Sequence, residues 1–559
     1  MIKLRIKKFE FKHSSLNDIK EMDTQAIKYG TNWPVVYILN NENTAYIGET
    51  LNAYNRIKQH LDNPLRRRFN DVNILLDEEL NKSAILDIES WLIKYMSADR
   101  KLDNLNQGLY DYDYYEKAKY VAKFDSIWNI LKKYGLVRGR LIDIECSDFF
   151  AYSPYKVLTI DQMLAVEEII SNLKEAIKKD ESLTIIVRGS AGTGKTVLAT
   201  YLMKLLKTPS EVRFGEKEEQ IDIDFDYFKE IDNLKTALVV PQQSLRKTIQ
   251  KVFKNITNLK SSDVIKPYDV PKNKYDLLIV DESHRLQRPI NLGQKHNAYY
   301  KNVNEMKIST DSTELDWIIN QSKYQILFYD EDQMIRPTDI RPESFYEKFK
   351  NPKLIFLSSQ MRVNAKEDYV GYIKRIFDNN VEFVENFSNY EFYLFNDISK
   401  MRNLILEKDE NPNDGGYARL VAGYAWEWKS KNDETNKVYD IEIGREKMRW
   451  NHTYIDWINS YNSKYEVGCI HTVQGYDLNY CGVIIGPEID YDFNNQKIIV
   501  YKNKYKDFAG KQKVESEEDL RQYIINIYEV LLTRGIKGTY IYVCNENMRK
   551  YLGQFIETK

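Results

Sequence analysis

Residues 189–196 read Gly-Ser-Ala-Gly-Thr-Gly-Lys-Thr, and they sit between an apolar run, Leu183-Thr-Ile-Ile-Val187, and a helical one, Val197-Leu-Ala-Thr-Tyr-Leu-Met-Lys-Leu-Leu206. The pattern is G-x4-G-K-[ST] on a strand–loop–helix, and each position has a physical reason. Gly189 opens the loop. Gly192 and Gly194, flanking Thr193, let the backbone curl until consecutive N–H groups face one anion. Lys195 can reach the outer phosphates of a nucleotide, Thr196 offers a hydroxyl to Mg²⁺, and the helix that follows presents its positive end. A Gly-rich turn with a solvated lysine is the bland alternative, and the strand–helix context argues against it.

Further along, the apolar strand Leu277-Leu-Ile-Val280 ends in Asp281-Glu282, and Asp281 lies 85 residues after Thr196. An acidic pair at the carboxyl end of a buried strand suits a nucleotide site. Asp281 would hold the Mg²⁺ shell and Glu282 would position or deprotonate the attacking water. The cofactors expected are therefore ATP and Mg²⁺.

From residue 156 onward, short apolar runs recur between helical patterns: LTIIVRG, ALVVP, YDLLIVDE, QILFYDE, KLIFLSS, ARLVAGY, EVGCIH, GVIIG and TYIYVC. Continuous apolar runs of this length are the mark of parallel strands covered on both faces by helices. They predict an α/β chain with two doubly wound parallel sheets, the first over 156–362 and the second over 363–559. Upstream, 1–110 reads as a small α/β domain, and a Tyr- and Lys-rich connector at 111–155 carries one helix near 114–135. Polar stretches at 207–236 and 288–312 read as surface insertions.

The 559 residues exceed one hydrophobic core, and the length suggests roughly three to five domains. Apolar residues at 43% and charged residues at 29% exclude a disordered or collagen-like chain. Lys+Arg 81 against Asp+Glu 83 gives a net charge of −2, so no overall basicity points to nucleic acid, although a groove can concentrate charge locally. The 42 tyrosines fit base stacking, but the favoured reading is an AT-biased genome, which raises Tyr, Lys and Asn together. Four scattered cysteines without CxxC spacing predict neither zinc nor a disulfide framework. The opening MIKLRIKKFEFKH has no apolar stretch behind its charges, and no run approaches the ~20 residues of a membrane span. The expectation is a cytoplasmic protein without a membrane partner, its oligomeric state left open.

In this order the motifs resemble those of a superfamily 1 helicase motor over about 156–548. Leu158-Thr-Ile-Asp-Gln162 resembles the glutamine motif, which implies that Gln162 reads adenine. Residues 239–249, VVPQQSLRKTI, stand where the first strand-binding motif belongs. Asp281-Glu-Ser-His-Arg285 resembles motif II, and Phe328-Tyr-Asp330-Glu-Asp-Gln333 motif III, with Gln333 as γ-phosphate sensor. Gln360-Met-Arg362 resembles motif IV, Ile470-His-Thr-Val-Gln474-Gly475 motif V, and Val530-Leu-Leu-Thr-Arg534 motif VI. The resemblance implies that Arg362 and Arg534 reach from the second lobe to neutralise charge on the transferred γ-phosphoryl. The closest likeness is to a helicase-like ATPase family of unassigned function related to the helicase lobe of Schlafen proteins.

A second resemblance covers about 33–107. Val35-Val36-Tyr37, Tyr46-Ile47-Gly48, Arg56, His60 and Glu89 resemble the GIY-YIG nuclease domain. It implies that Tyr37 and Tyr46 orient or deprotonate the attacking water, and that Arg56 stabilises the phosphorane-like charge. His60 would stand on the same helix face as Arg56. Glu89 would bind Mg²⁺ or Mn²⁺, and Asn106, with Asn104 close behind, would complete the site. Val35 replaces the motif glycine. Arg56, Lys58, Arg66, Arg67 and Arg68 form a basic strip that could track a phosphate backbone.

Together these imply an ATP-driven nucleic-acid helicase or translocase, on DNA rather than RNA, carrying a metal-dependent endonuclease. The pairing points to phage defence or DNA repair. The alternative is an ATP-gated binding or signalling protein with an inactive nuclease-like docking domain.

Overall fold

Residues 185–187 and 277–280 are fully buried aliphatics in unbroken series. Such segments have no face to give to water, and only helices on both sides of a sheet can cover them. A computed structural model of the protein describes residues 4–104, 114–145, 147, 150, 152–154, 158–208, 231, 234–256, 258–360, 362–381, 383–411, 414–433, 437–454, 457–473 and 476–559. The chain divides into two units, Met1–Leu164 with Asn255–Asn258, and Ala165–Lys254 with Leu259–Lys559.

The first unit is built on a mixed sheet. Its strands are β1 (Arg5–Glu10), β2 (Val35–Asn40), β3 (Thr44–Thr50), β4 (Asp71–Leu76) and β5 (Asp103–Asn104), in the order β1-β4-β2-β3-β5. All neighbours are antiparallel except β3 and β5. Helix Ala53–Asp62 is capped by Asn52, and helix Lys82–Asp99 by Asn81; each asparagine accepts a backbone N–H of the first turn. Helix Lys117–Lys133 buries Tyr120, Phe124, Trp128 and Leu131 along one face.

The larger unit holds the two parallel sheets expected. Strands β6 (Leu183–Gly189), β7 (Thr236–Val239), β8 (Val264–Ile265), β9 (Tyr275–Val280), β10 (Ser322–Tyr329) and β11 (Lys353–Leu357) form the first, in the order β11-β6-β10-β9-β7-β8. Ile326 in β10 lies opposite both Ile185 and Ile279. The second sheet comprises β12 (Glu391–Phe395), β13 (Ala418–Ala422), β16 (Val467–Cys469), β17 (Leu478–Ile485) and β20 (Gly535–Val543), in the order β12-β20-β17-β13-β16. Two hairpins intervene, β14 (Ile441–Ile443) with β15 (Glu446–Met448), and β18 (Ile489–Asp492) with β19 (Lys497–Val500). Alternate residues of the second sheet enter separate cores. Val421, Val483, Ile541 and Val543 join one, while Leu420, Ala422, Ile484, Tyr540 and Tyr542 join the other. That alternation is the two-sided burial the apolar runs require.

One expectation changes. The stretch 288–312 is not merely a polar insertion: helix His296–Met306 packs Tyr299 and Val303 against Trp317 in a small core of its own. Most of 207–236 lies outside the described residues. The structure also contains elements that the sequence reading did not identify, namely β1, β4, β12 and both hairpins. β12 alternates buried and partly exposed positions and β1 buries only Ile6, each a weaker signal than an unbroken apolar run.

Ile541 is fully buried at the centre of β20, between β12 and β17. Ile541→Ala should destabilise this lobe by about 2–5 kcal/mol through lost burial and a residual cavity, lowering its urea midpoint. An unchanged midpoint would mean that this strand is not the core of the sheet.

Candidate active site

The strand order decides what meets at the carboxyl edge of the first sheet. β11, β6, β10 and β9 are neighbours, so the residues just beyond them stand in a row: Gln360, the loop 189–196, Asp330, and Asp281 with Glu282. Ligands of open parallel sheets bind at this edge.

The loop has the conformation its glycines allow. Gly192 and Gly194 adopt φ 88 and φ 78, and a Cβ on Gly192 would strike the side chain of Gln360. Lys195, at the start of helix Lys195–Lys207, donates from Nζ to the carbonyls of Gly189 (2.6 Å) and Ser190 (2.9 Å). It also pairs with Asp330 Oδ2 at 2.9 Å, and both side chains are at most 5% exposed. Gln333 Nε2 donates to the same carboxylate oxygen at 2.6 Å. Gln360 Nε2 donates to the Ala191 carbonyl at 2.6 Å and so rests on the loop. Thr193 Oγ1 donates to the Ser190 carbonyl at 3.0 Å.

Thr196 Oγ1 donates to Asp281 Oδ2 at 2.8 Å. The second oxygen, Asp281 Oδ1, is buried without a hydrogen-bond partner among the described residues. Burial, and then the charge of Glu282, push the Asp281 carboxyl up to about 7. A buried carboxylate oxygen without a donor beside a threonine hydroxyl is the donor set a hard divalent cation takes, so these residues fit Mg²⁺. Glu282 goes the other way. Burial opposes its ionisation, but His284, Arg285 and Lys195 outweigh it and hold the group below the usual carboxylate range. Its backbone lies in the left-handed region at φ 53, a conformation that costs a non-glycine residue about 1 kcal/mol or more and aims the carboxylate. His284 Nε2 is 3.1 Å from Glu282 Oε2 without hydrogen-bond alignment. Ser283 Oγ ties the turn to the Phe328 carbonyl at 2.7 Å.

The second lobe closes over this edge. A small cavity is lined by Ser190, Ala191, Gln333, Lys374, Glu529 and Thr533. Burial, and then Asp332, push Glu529 up to about 8. Arg362 pairs through Nε with Asp477 Oδ1, and its backbone N–H donates to Gln360 Oε1 at 2.8 Å. Arg534 is 1% exposed within the second lobe and donates from Nε to the Val530 carbonyl at 2.9 Å. Arg362, at the end of the first lobe, thus holds Asp477 of the second, and Arg534 bonds within the second lobe. Gln162 is fully buried in the first turn of helix Ile160–Lys179, where its Oε1 accepts from Thr159 N–H at 3.1 Å. Met361, Gln474 and Gly475 lie outside the described residues.

In the first unit, β2, β3 and helix Ala53–Asp62 bring four of the expected residues together. Tyr37 Oη lies 2.8 Å from His60 Nε2, and Arg56 Nε donates to the same hydroxyl at 3.3 Å. The Tyr46 and His60 rings are 5.3 Å apart. Glu89, on helix Lys82–Asp99, lies within electrostatic range of Tyr37. Burial pushes the Tyr37 phenol up to about 12, and burial with the Arg56 and Arg66 charges lowers His60 to about 3. Gly48 is required here, because a Cβ would strike the Tyr37 hydroxyl. Val35 is buried and pairs with Thr50, so a valine is accommodated at that position. Arg66 departs from the expected surface strip: it is 2% exposed, with its guanidinium 3.8 Å from the Tyr46 ring centroid. Arg67 and Arg68 stay exposed. Asn104 lies in β5 beside Ala45, and Asn106 is outside the described residues.

A glycine-rich phosphate loop, Asp330 after the adjoining strand β10, the acidic pair after β9 and a second parallel sheet define a two-lobed P-loop ATPase. The chain belongs to the family described as Schlafen group 3, DNA/RNA helicase domain, whose model matches residues 182–545. A curated relative, the uncharacterized protein YPL245W of Saccharomyces cerevisiae, is 26% identical over 440 residues, covering 71% of this chain and 90% of that one. Among solved structures, arterivirus nonstructural protein 10 (helicase) with DNA aligns at TM-score 0.29 and 13% identity, covering 68% of this chain and 64% of that one, less than two thirds of its length. Pif1 helicase from Candida albicans aligns at TM-score 0.27 and 10% identity, covering 71% and 98%.

Sequence reasoning assigned Gln333 and passed over Asp330 in the same motif, although an acid directly after a buried parallel strand was the signal. It also gave no role to Gln360, three residues past β11, or to the burial of Arg66.

Asp281 carries a sign that can be tested. Its folded value, about 7, stands above the ordinary 3.8, so its contribution favours folding at low pH and is lost as pH rises through 7. Without nucleotide or metal, Asp281→Asn should raise Tm at pH 8, with a smaller gain at pH 5. A gain equal at both values would show that the carboxyl is not held in this environment.

Proposed function

We propose that the chain is an ATP-driven nucleic-acid translocase or helicase, acting on DNA in preference to RNA, whose amino-terminal domain is a metal-dependent GIY-YIG-type endonuclease. The nuclease would occupy 1–110, a helical connector 111–155, and the lobes 156–362 and 363–559. The observation that carries the motor reading is the convergence of Lys195, Thr196, Asp281 and Gln333 at one sheet edge. The nuclease reading rests on Tyr37, Arg56 and His60 meeting at one hydroxyl.

In the motor, bound nucleotide takes the place of Asp330 on Lys195, since a phosphate offers that ammonium the same negative charge. Gln333, released from Asp330, then contacts the γ-phosphate. Thr196 and Asp281 would hold Mg²⁺, which offsets charge on the β- and γ-phosphate oxygens. Glu282, kept ionised by its basic neighbours, accepts a proton from the attacking water. Arg362 and Arg534 contribute once lobe closure draws them to the γ-phosphoryl, which couples hydrolysis to closure.

In the nuclease, neutral His60 accepts a hydrogen bond from the Tyr37 hydroxyl and so fixes that hydroxyl's orientation toward water, and Arg56 stabilises charge on the scissile phosphate. Glu89 would hold Mg²⁺ or Mn²⁺, which supplies Lewis acidity to the phosphate.

Lys195→Ala should abolish ATP hydrolysis and, because it leaves the buried Asp330 carboxylate without its cation, also lower the melting temperature, while Glu282→Gln should keep nucleotide binding and stall turnover. Arg534→Ala should lower kcat by on the order of 10³-fold with a much smaller effect on nucleotide Kd. If its ATPase stays within a few-fold of wild type, Arg534 is no finger.

The two activities should separate. Glu89→Ala and Arg56→Ala are expected to eliminate cleavage of supercoiled plasmid in Mg²⁺ or Mn²⁺, leaving nucleic-acid-stimulated ATPase near wild type. Intact plasmid with the wild-type protein across metal concentrations would favour the docking-domain alternative.

A further inference from the structure

Between β13 and β16 the second lobe carries a segment, residues 423–466, dense in aromatic rings. Tyr424 stacks on Trp450 at 5.5 Å with an interplanar angle of 12°, and Trp426 meets Trp450 edge-on at 6.2 Å. These pairs are the base of the segment, in contact with the buried core that includes Trp450 and Met448. Trp428, partly buried against the same core, pairs with Tyr454 at 5.0 Å, and Tyr454 is 44% exposed. A wholly structural pair would be expected under cover. This one presents ring surface to water at the margin of the lobe.

Basic residues stand beside it. Of the described acids in the segment, four are engaged within the lobe, while Glu427 and Glu442 are exposed and pair only at 4.0 Å with Lys506 and 3.9 Å with Lys447. Asp433 pairs with Arg449 and accepts the backbone N–H groups of Lys437 and Val438. Asp440 accepts from Ser430 and Trp450, Glu446 pairs with Arg402, and Glu466 accepts from Trp457. Lys429 and Lys431 flank this region, are exposed, and make no ion pair among the described residues. From the first lobe, Arg336 lies within electrostatic range of Tyr454, His471 and Asp507. Asp507 is spoken for by His471 at 2.6 Å, and His471 in turn lies 6.1 Å from the Tyr424 ring. Exposed rings beside cations drawn from both lobes are what an unpaired nucleic-acid strand needs: π-faces for its bases and positive charge for its backbone.

We propose that Trp428 and Tyr454, with Arg336, Lys429 and Lys431, form a stacking platform for one or two unpaired bases of a single-stranded nucleic acid. The inference rests on the motor reading above and assigns the strand's place on it. Because the rings belong to the second lobe and Arg336 to the first, lobe closure would move the platform relative to that cation, changing the grip on the strand with the nucleotide state.

The test uses the full-length protein and three fluorescein-labelled 20-mers: dT20, rU20 and an abasic strand of equal length and charge. Kd is read by anisotropy at fixed salt. Wild type should bind dT20 or rU20 more tightly than the abasic strand. Tyr454→Ala should weaken binding to the base-bearing strand by roughly tenfold and leave abasic binding nearly unchanged, as stacking on an aromatic side chain predicts. Tyr454→Phe, which keeps the ring, should bind as wild type does. Arg336→Ala should weaken all strands alike and reduce the salt dependence. Trp428→Ala repeats the Tyr454 test, and circular dichroism with melting identifies a variant that has lost its fold. If wild type prefers bases but Tyr454→Ala keeps that preference in full, the platform lies elsewhere while the motor reading stands. If wild type binds none of the three strands, the motor reading fails and the platform with it.

Discussion

A buried ion pair between Lys195 and Asp330 organises the nucleotide site. Both groups are withdrawn from water, and an ammonium in that position is costly without a nearby negative charge. Asp330 supplies it, with Gln333 and two loop carbonyls completing the shell. The loop is therefore shaped around its lysine before any phosphate arrives. The strand order explains why this acid is Asp330 and no other: β10 is the immediate neighbour of β6, so the residue after β10 opens beside the loop that follows β6. Asp281, one strand further, reaches Thr196 instead. One topology thus sorts two carboxylates into two roles.

The pair on β9 shows how burial is divided between neighbours. Asp281 and Glu282 are adjacent and both buried, and two full negative charges there would repel. Glu282 has His284 and Arg285 beside it and keeps its charge, while Asp281, with a hydroxyl partner and one bare oxygen, is the member pushed toward neutrality. A cation at Asp281 would reverse that. The strained backbone of Glu282 and the unsatisfied oxygen of Asp281 are local costs of the kind that concentrate at functional sites.

Much of this was legible in the sequence, for definite reasons. A phosphate loop needs glycine at fixed positions, and a strand buried on both faces must be continuously apolar, so 183–196 and 277–282 announced themselves. Motif order also singled out Gln333, which meets Asp330 beside the loop, and Arg362 and Arg534, which bond to Asp477 and to the Val530 carbonyl. Other features have no local pattern. Gln360 lies on the loop because β11 flanks β6, an order visible only after folding. Arg66 reads in the sequence as one of three consecutive basic residues, yet its chain entry turns it inward onto Tyr46 while Arg67 and Arg68 face water. β12 and the hairpin β14–β15 alternate too weakly, or are too short, to stand out from their surroundings.

The two arginines proposed as fingers rest on contacts at the second lobe. Arg362 is held by Asp477, and Arg534 donates to the Val530 carbonyl. Both arginines are tied to the same short stretch: Arg534 Nη1 approaches the Tyr476 carbonyl at 3.5 Å, and the next residue is the Asp477 that holds Arg362. Tyr476 and Asp477 directly follow Gln474 and Gly475 in the chain. A displacement of that stretch would loosen both arginines together. In the motor proposed above, a guanidinium that exchanges its present partner for a phosphoryl group trades one charge-assisted contact for another, so these contacts need not make closure uphill. Coupling of strand engagement to hydrolysis would then need no long relay, only movement of the stretch on which both arginines rest.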